Sequence, residues 1–155
     1  PLKTIAEAAA MPLTSLVGSP HADAQAGRTH QGIHVLVVED DATIAAVICG
    51  VLESEGLRVT HAAHGLAALA ALGEAGIDIA LMDLDLPGID GLQLARMIRE
   101  REREGSTHLP IIAITARATG DEEAQTRAAG MDGFLRKPIT LAMLQTALRP
   151  WREPS

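Results

Sequence analysis

Two hydrophobic rhythms alternate along residues 33–149. The first is short and continuous. "IHVLVV" (33–38), "LRVTHA" (57–62), "IDIALM" (77–82), "LPIIAIT" (109–115) and "DGFL" (132–135) are runs of four to seven residues, most of them rich in Ile, Val and Leu. Short runs bounded by Gly, Asp or Pro predict strands, and near-continuous apolarity predicts burial on both faces. The second rhythm is helical. Ile44, Val47, Ile48, Val51 and Leu52 recur at i, i+3, i+4, i+7 and i+8, and Gly56 closes the run. Further helices are predicted over 65–76, 92–105, 120–130 and 140–149, the last with Thr140 as its N-cap. The fourth carries acids in its first turn, where the helix dipole favours them, and Ala124, Ala128 and Ala129 are its expected apolar contacts. So little burial predicts an element that shifts easily.

Five strands and five helices in strict alternation predict an α/β domain, a doubly wound parallel sheet with helices on both faces. In such sheets ligands sit at the carboxyl ends of the strands. The residues just past each strand therefore carry the functional information. Strand 1 is followed by Glu39, Asp40 and Asp41, and strand 3 by Asp83 and Asp85 in "ALMDLDLPGIDG". Strand 4 ends in Thr115, strand 5 leads to Lys137 and Pro138, and strand 2 offers His61 and His64. Asp41 suits an N-cap for the first helix.

Composition narrows the classes. The chain has 155 residues, enough for one ordinary domain. Phe134 and Trp151 are its two aromatics, so the core must be aliphatic. A net charge of −7 argues against general nucleic-acid binding. The single Cys49 excludes an internal disulfide, suits a reducing compartment, and falls in a helical apolar pattern as a core filler. No apolar run approaches the roughly 20 residues of a membrane span. Residues 1–32 mix Pro, Gly, Ser and Ala and read as a linker with a short helix at 4–10; 33–150 form the domain and 151–155 a tail. The chain begins at Pro1 without Met, which suggests a fragment or processed product. The run "REREREG" (99–105) reads as a solvated helix end. His34, His61, His64 and His108 are dispersed and lack metal-ligand spacing.

The charges gathered on the rim need an explanation. Carboxylates brought close together repel, and a divalent cation relieves this; Mg²⁺ prefers hard oxygens. The chain has eleven Arg but only Lys3 and Lys137 as lysines, so Lys137 suggests that a compact point charge is wanted. A carboxylate between metal-type acids and an ammonium can act as a nucleophile toward phosphorus, with Thr115 donating its hydroxyl to the phosphoryl group. Asp83 holds that place.

At these residues the chain resembles the receiver domain of two-component response regulators and hybrid sensor kinases. "VLVVEDD" resembles the acidic metal-binding segment, "LMDLDLPGIDG" the phosphoacceptor segment, "PIIAITA" the switch hydroxyl, and "FLRKPI" the lysine with its proline. The resemblance covers about 33–149 and implies a flavodoxin/CheY-like (βα)5 fold with strand order 2-1-3-4-5. It implies that Asp83 accepts a phosphoryl group from a phosphohistidine. Asp40, Asp83 and the backbone carbonyl of Asp85 would bind Mg²⁺ (or Mn²⁺), and Glu39 would act through water. Glu39 stands where the family more often has Asp. Lys137 would contact the phosphoryl oxygens, its bond to Pro138 would be cis, and Thr115 and Phe134 would form the switch.

Charge suggests one more pair: Asp85 and Arg117, each two residues past a site residue, could meet across the rim and tune hydrolysis, or form an ordinary surface ion pair. A haloacid-dehalogenase-like phosphatase also uses Asp-x-Asp, but there the nucleophile comes first, whereas here "EDD" precedes Asp83 by more than forty residues. A nucleotide-binding domain would need a Gly-rich loop after strand 1, and the chain has none. The expectation is a phosphorelay switch, not an enzyme in isolation. The favoured context is the C-terminal receiver of a hybrid histidine kinase, with a single-domain regulator as runner-up. Expected partners are a kinase dimerisation domain or a histidine phosphotransfer domain, with no nucleic acid or membrane contact. A weak homodimer could use the helix 4–strand 5–helix 5 face. The expected location is cytoplasmic, with tethering to an inner-membrane kinase an option.

Overall fold

A computed structural model describes residues 33–152 except 75, 104, 106 and 118. The expected linker over 1–32, its short helix at 4–10 and residues 153–155 of the tail lie outside the described residues. The elements run β1 (His34–Val38), α1 (Ala42–Ser54), β2 (Arg58–Ala62), α2 (Gly65–Glu74), β3 (Ile79–Asp83), α3 (Gly91–Glu102), β4 (Ile111–Thr115), α4 (Glu122–Ala128), β5 (Gly133–Arg136) and α5 (Leu141–Arg152). The strands form one sheet in the order β2-β1-β3-β4-β5, and every pairing is parallel.

The continuous apolar strands are explained by two cores. Val35, Val37, Ile79, Leu81, Ile112 and Ile114 face α1 and α5. Their alternate neighbours Leu36, Val38, Ala80, Met82, Ile111 and Ala113 face α2 and α3 and the end of α4. β1, β3 and β4 are buried on both sides, which is why they read as unbroken hydrophobic runs. Asp41 caps α1, its carboxylate accepting from the Thr43 and Ile44 amides at 2.9 and 3.0 Å. Cys49 packs half-buried against the α1 side, and burial pushes its thiol up to about 11, which suits a core filler rather than a nucleophile.

Two helices differ from the pattern-based expectation. Ala124 and Ala128 are exposed; α4 turns Glu122 and Thr126 inward, and Ala129 follows them. Polar side chains can occupy that face because the loop before α4 satisfies the Glu122 carboxylate. The charged run at the end of α3 is only partly solvated. Arg99 donates to the Gly130 carbonyl at 2.8 Å and to Asp132 at 3.0 Å, and Glu102 accepts from the Leu109 amide at 2.7 Å. Sequence patterning misses such partners because they arrive from distant loops.

Candidate functional site

The sheet register sorts the rim chemistry onto two pleats. Val38 pairs with Met82, Asp83 with Ile114, and Ile114 with Leu135. Neighbours in register point to the same side and side chains alternate along a strand. Glu39, Asp83 and Lys137 therefore share one pleat, on the α1/α5 side. Phe134 pairs with Ala113 and Arg136 with Thr115, so these residues share the opposite pleat.

On the first pleat, Glu39 and Asp83 are only 2% and 3% exposed. Lys137 Nζ lies 3.4 Å from Glu39 Oε1 and 3.5 Å from Asp83 Oδ2. The Asp85 amide donates to Asp83 Oδ1 at 2.9 Å, and the Asp41 amide to Glu39 Oε2 at 3.2 Å. Carboxylate oxygens of Glu39, Asp40 and Asp83 lie within 4.8 Å of one another.

Electrostatics makes this cluster costly as it stands. Burial pushes the Glu39 carboxyl up to about 7; the Asp83 charge adds to this, while the Asp41 amide and Lys137 oppose it. Burial also acts to lower the Lys137 pKa, but Asp83 and Glu39 outweigh it and the net direction is up. One ammonium does not satisfy the set: Glu39 Oε1 is buried without a hydrogen bond, despite its 3.4 Å approach to Nζ. Hard, anionic, incompletely partnered oxygens are the donors a divalent cation takes, so the residues fit Mg²⁺.

On the second pleat, Thr115 is fully buried and its Oγ1 accepts from the Arg117 amide at 2.9 Å. The Arg117 guanidinium reaches back to Asp85, with Nε at 2.8 Å and Nη2 at 2.7 Å from Oδ1. The Lys137 amide donates to the Thr115 carbonyl at 2.8 Å, and the Lys137–Pro138 peptide is cis.

The family model for the response regulator receiver domain matches residues 35–149. The chain belongs to this family. The receiver is 39% identical over 119 residues to the sensor histidine kinase GacS of Pseudomonas protegens, a match that covers 76% of this chain and 13% of GacS. It thus spans a small part of the sensor kinases it resembles. Among solved structures it is similar to the receiver domain of the sensor histidine kinase PA1611 of Pseudomonas aeruginosa, which holds a magnesium ion in its active site cleft. There the identity is 38%, the TM-score 0.68, and the coverage 77% of this chain and 97% of that one. It is also similar, at 26% identity and TM-score 0.74, to a chain in the co-crystal structure of the Saccharomyces cerevisiae phosphotransfer protein Ypd1 with the receiver domain of Ssk1. That match covers 79% of this chain and 90% of that one. The doubly wound parallel sheet is the one the alternating pattern predicts, and the strand order 2-1-3-4-5 is the one the family resemblance implies.

In this receiver Glu39, Asp40, Asp83 and Lys137 meet at one rim, and Thr115, Asp85 and Arg117 form a hydrogen-bonded chain beside them. Three further residues attach to this constellation. His61 Nε2 donates to the Glu39 carbonyl at 2.9 Å and, with the Glu39 amide bonded to the Ala62 carbonyl at 3.1 Å, ties the acidic loop to β2. Arg136 and Glu122 meet at 3.5 Å beside Arg117. The placement of His61 at a strand end was a signal for it; nothing in the local pattern marks Glu122, whose partners come from its own loop and from β5.

Proposed function

We propose that this receiver takes a phosphoryl group from a phosphohistidine onto Asp83. The observation that carries the reading is the meeting of Asp83 with Glu39 and Asp40 within 4.8 Å, while Lys137 Nζ lies 3.5 Å from its Oδ2. In the step, an Asp83 carboxylate oxygen attacks phosphorus, the P–N bond of the donor breaks, and the imidazole nitrogen keeps the electron pair. Asp40, Asp83 and the Asp85 backbone carbonyl would hold Mg²⁺ (or Mn²⁺), with Glu39 acting through water. The ion, when bound, supplies charge that stabilises the transferring oxygens. Lys137 neutralises a second side of the phosphoryl group. Thr115 donates its hydroxyl to the phosphoryl group, and Phe134 moves with it. Asp85 and Arg117 stand where an attacking water must arrive and slow hydrolysis.

The domain catalyses only its own phosphorylation and dephosphorylation. We place it in a hybrid sensor histidine kinase, a context favoured by its likeness to GacS. Its donors and acceptors are then a kinase phosphoacceptor domain and a histidine phosphotransfer domain, in line with the Ypd1–Ssk1 complex. Among the described residues no helix is long and apolar enough to cross a membrane, which fits a cytoplasmic module tethered through its parent kinase. A weak homodimer through α4, β5 and α5 would be consistent with the same role.

The test is Asp83→Asn with labelled acetyl phosphate and Mg²⁺. The parent is expected to take up base-labile, hydroxylamine-labile label and the variant to take up none. Equal labelling of both would falsify the assignment.

A further inference from the structure

The loop between β4 and α4 is held from two sides by residues outside the acidic cluster. Arg136 is the last residue of β5 and the in-register neighbour of Thr115. Its Nη1 donates to the Arg117 carbonyl, and its Nη2 lies 3.5 Å from Glu122 Oε1. Its guanidinium carbon lies 5.7 Å from the centroid of the Phe134 ring, two residues back on the same pleat. Glu122 is 1% exposed, and the loop folds around it. Its Oε2 accepts from the Thr119 amide and hydroxyl, both at 2.7 Å, and its Oε1 from the Gly120 amide at 3.1 Å. These donors, with the Thr119 hydroxyl foremost, hold its carboxyl down to about 2, so it is charged whenever the protein is folded near neutrality.

The same loop engages Thr115, whose Oγ1 accepts from the Arg117 amide. A hydroxyl that moves toward Asp83 must lose that amide or bring the loop with it. Bringing the loop requires the Arg117 carbonyl to part from Arg136. We propose that Arg136 and Glu122 form a lock on the β4–α4 loop that opposes movement of Thr115 toward Asp83. The lock rests on the reading of Thr115 as the switch hydroxyl given above. It also holds Phe134, because one guanidinium spans the ring, the loop carbonyl and the buried carboxylate. Position 136 then sets how readily the domain enters its phosphorylated conformation.

A ligand or covalent group that favours a minor conformation acts in proportion to the population of that conformation. Weakening the lock should therefore speed labelling rather than slow it. The experiment compares initial rates of Asp83 labelling by acetyl phosphate with Mg²⁺ for the parent, Arg136→Ala, Glu122→Gln and the double variant, with amide exchange at Arg117, Thr119 and Gly120 read in parallel. Arg136→Ala is expected to label roughly two- to fivefold faster, the range that a partly exposed charge pair supports. The double variant should gain little more than either single change. Local exchange should rise with the rate. A merely structural role would slow labelling or leave it unchanged. Should Arg136→Ala not fold, Arg136→Gln, which keeps a donor but not the charged fork, decides by the same criterion. If the parent takes no label, or Asp83→Asn labels as the parent does, the phosphoacceptor reading fails and the lock falls with it. If the parent labels at Asp83 and the folded Arg136 variant labels no faster, the lock alone is wrong.

Discussion

Gly91 packs directly on the backbone of Asp83. A Cβ at position 91 would lie 2.8 Å from the Leu84 Cα and closer still to the Asp83 carbonyl oxygen. The first residue of α3 thus rests against the strand end that carries the acid, and its amide donates to the Leu84 carbonyl at 3.0 Å. Backbone cannot swing aside as a flexible side chain can. Gly91→Ala is therefore expected to destabilise the domain by about 1–3 kcal/mol, the range for overpacking, and to displace Asp83. Thermal melting and acetyl-phosphate labelling on one sample check both effects. Gly73→Ala, where a Cβ meets nothing within 4 Å, is the control.

Asp85 and Arg117 are joined by two contacts to one oxygen, yet both side chains are substantially exposed. Breaking this pair should change folding stability by less than about 1 kcal/mol. Its expected effect is kinetic. Asp85→Ala and Arg117→Ala should each shorten the lifetime of the phosphorylated protein, and the double variant should resemble either single one. Loss of protein-bound label over time measures this; an unchanged lifetime in both would remove the pair from the mechanism.

Asp132 ties together three segments at the other end of the sheet. Its Oδ2 accepts from the Ile111 amide at 2.8 Å and Arg99 Nη2 at 3.0 Å, and its Oδ1 lies 2.9 Å from His108 Nε2. Asp132→Ala leaves the Ile111 amide and the Arg99 fork without this acceptor, at a cost of about 1–3 kcal/mol. Urea denaturation should show the loss. Labelling of Asp83 in the folded variant should stay near the parent rate, because Ile111 and Asp83 lie at opposite ends of the sheet.

The pH dependence of folding has an acid limb at His34. Its side chain is buried at the start of β1; Nε2 lies 2.7 Å from Thr60 Oγ1, and Nδ1 has no hydrogen bond. Burial is the main cause that lowers its pKa below 6.5; Arg58 adds to it and Asp78 opposes it. The unfolded chain then binds a proton more readily than the folded one. The contribution is present above pH 6.5 and is lost as pH falls through the lowered folded value. His34→Gln should lose less stability than the parent between pH 7.5 and 5.5, as read by denaturant midpoints.

The elements that read well from sequence are those whose burial is complete. β1, β3 and β4 lie between two helical layers, so almost every residue had to be apolar, and the pattern announced them. Asp40, Asp83, Thr115 and Lys137 were legible because the carboxyl ends of parallel strands share one edge. α4 was misjudged. Its inward face is Glu122 and Thr126, and polar residues there look like a solvated face until their partners are known.

Alternation of apolar runs determined the element order, the parallel sheet and the edge on which the chemistry would gather. These follow from local periodicity and the handedness of crossovers. Tertiary structure decided how closely those charges meet and which others join them. Glu39, Asp83 and Lys137 come together because the strand register sets them on one pleat, and Arg136 reaches Glu122 because β5 lies beside β4. Such contacts depend on distances of a few ångströms between residues far apart in the chain. Hydrophobic periodicity does not encode those distances, since a charge reads the same whether water or another side chain stands beside it.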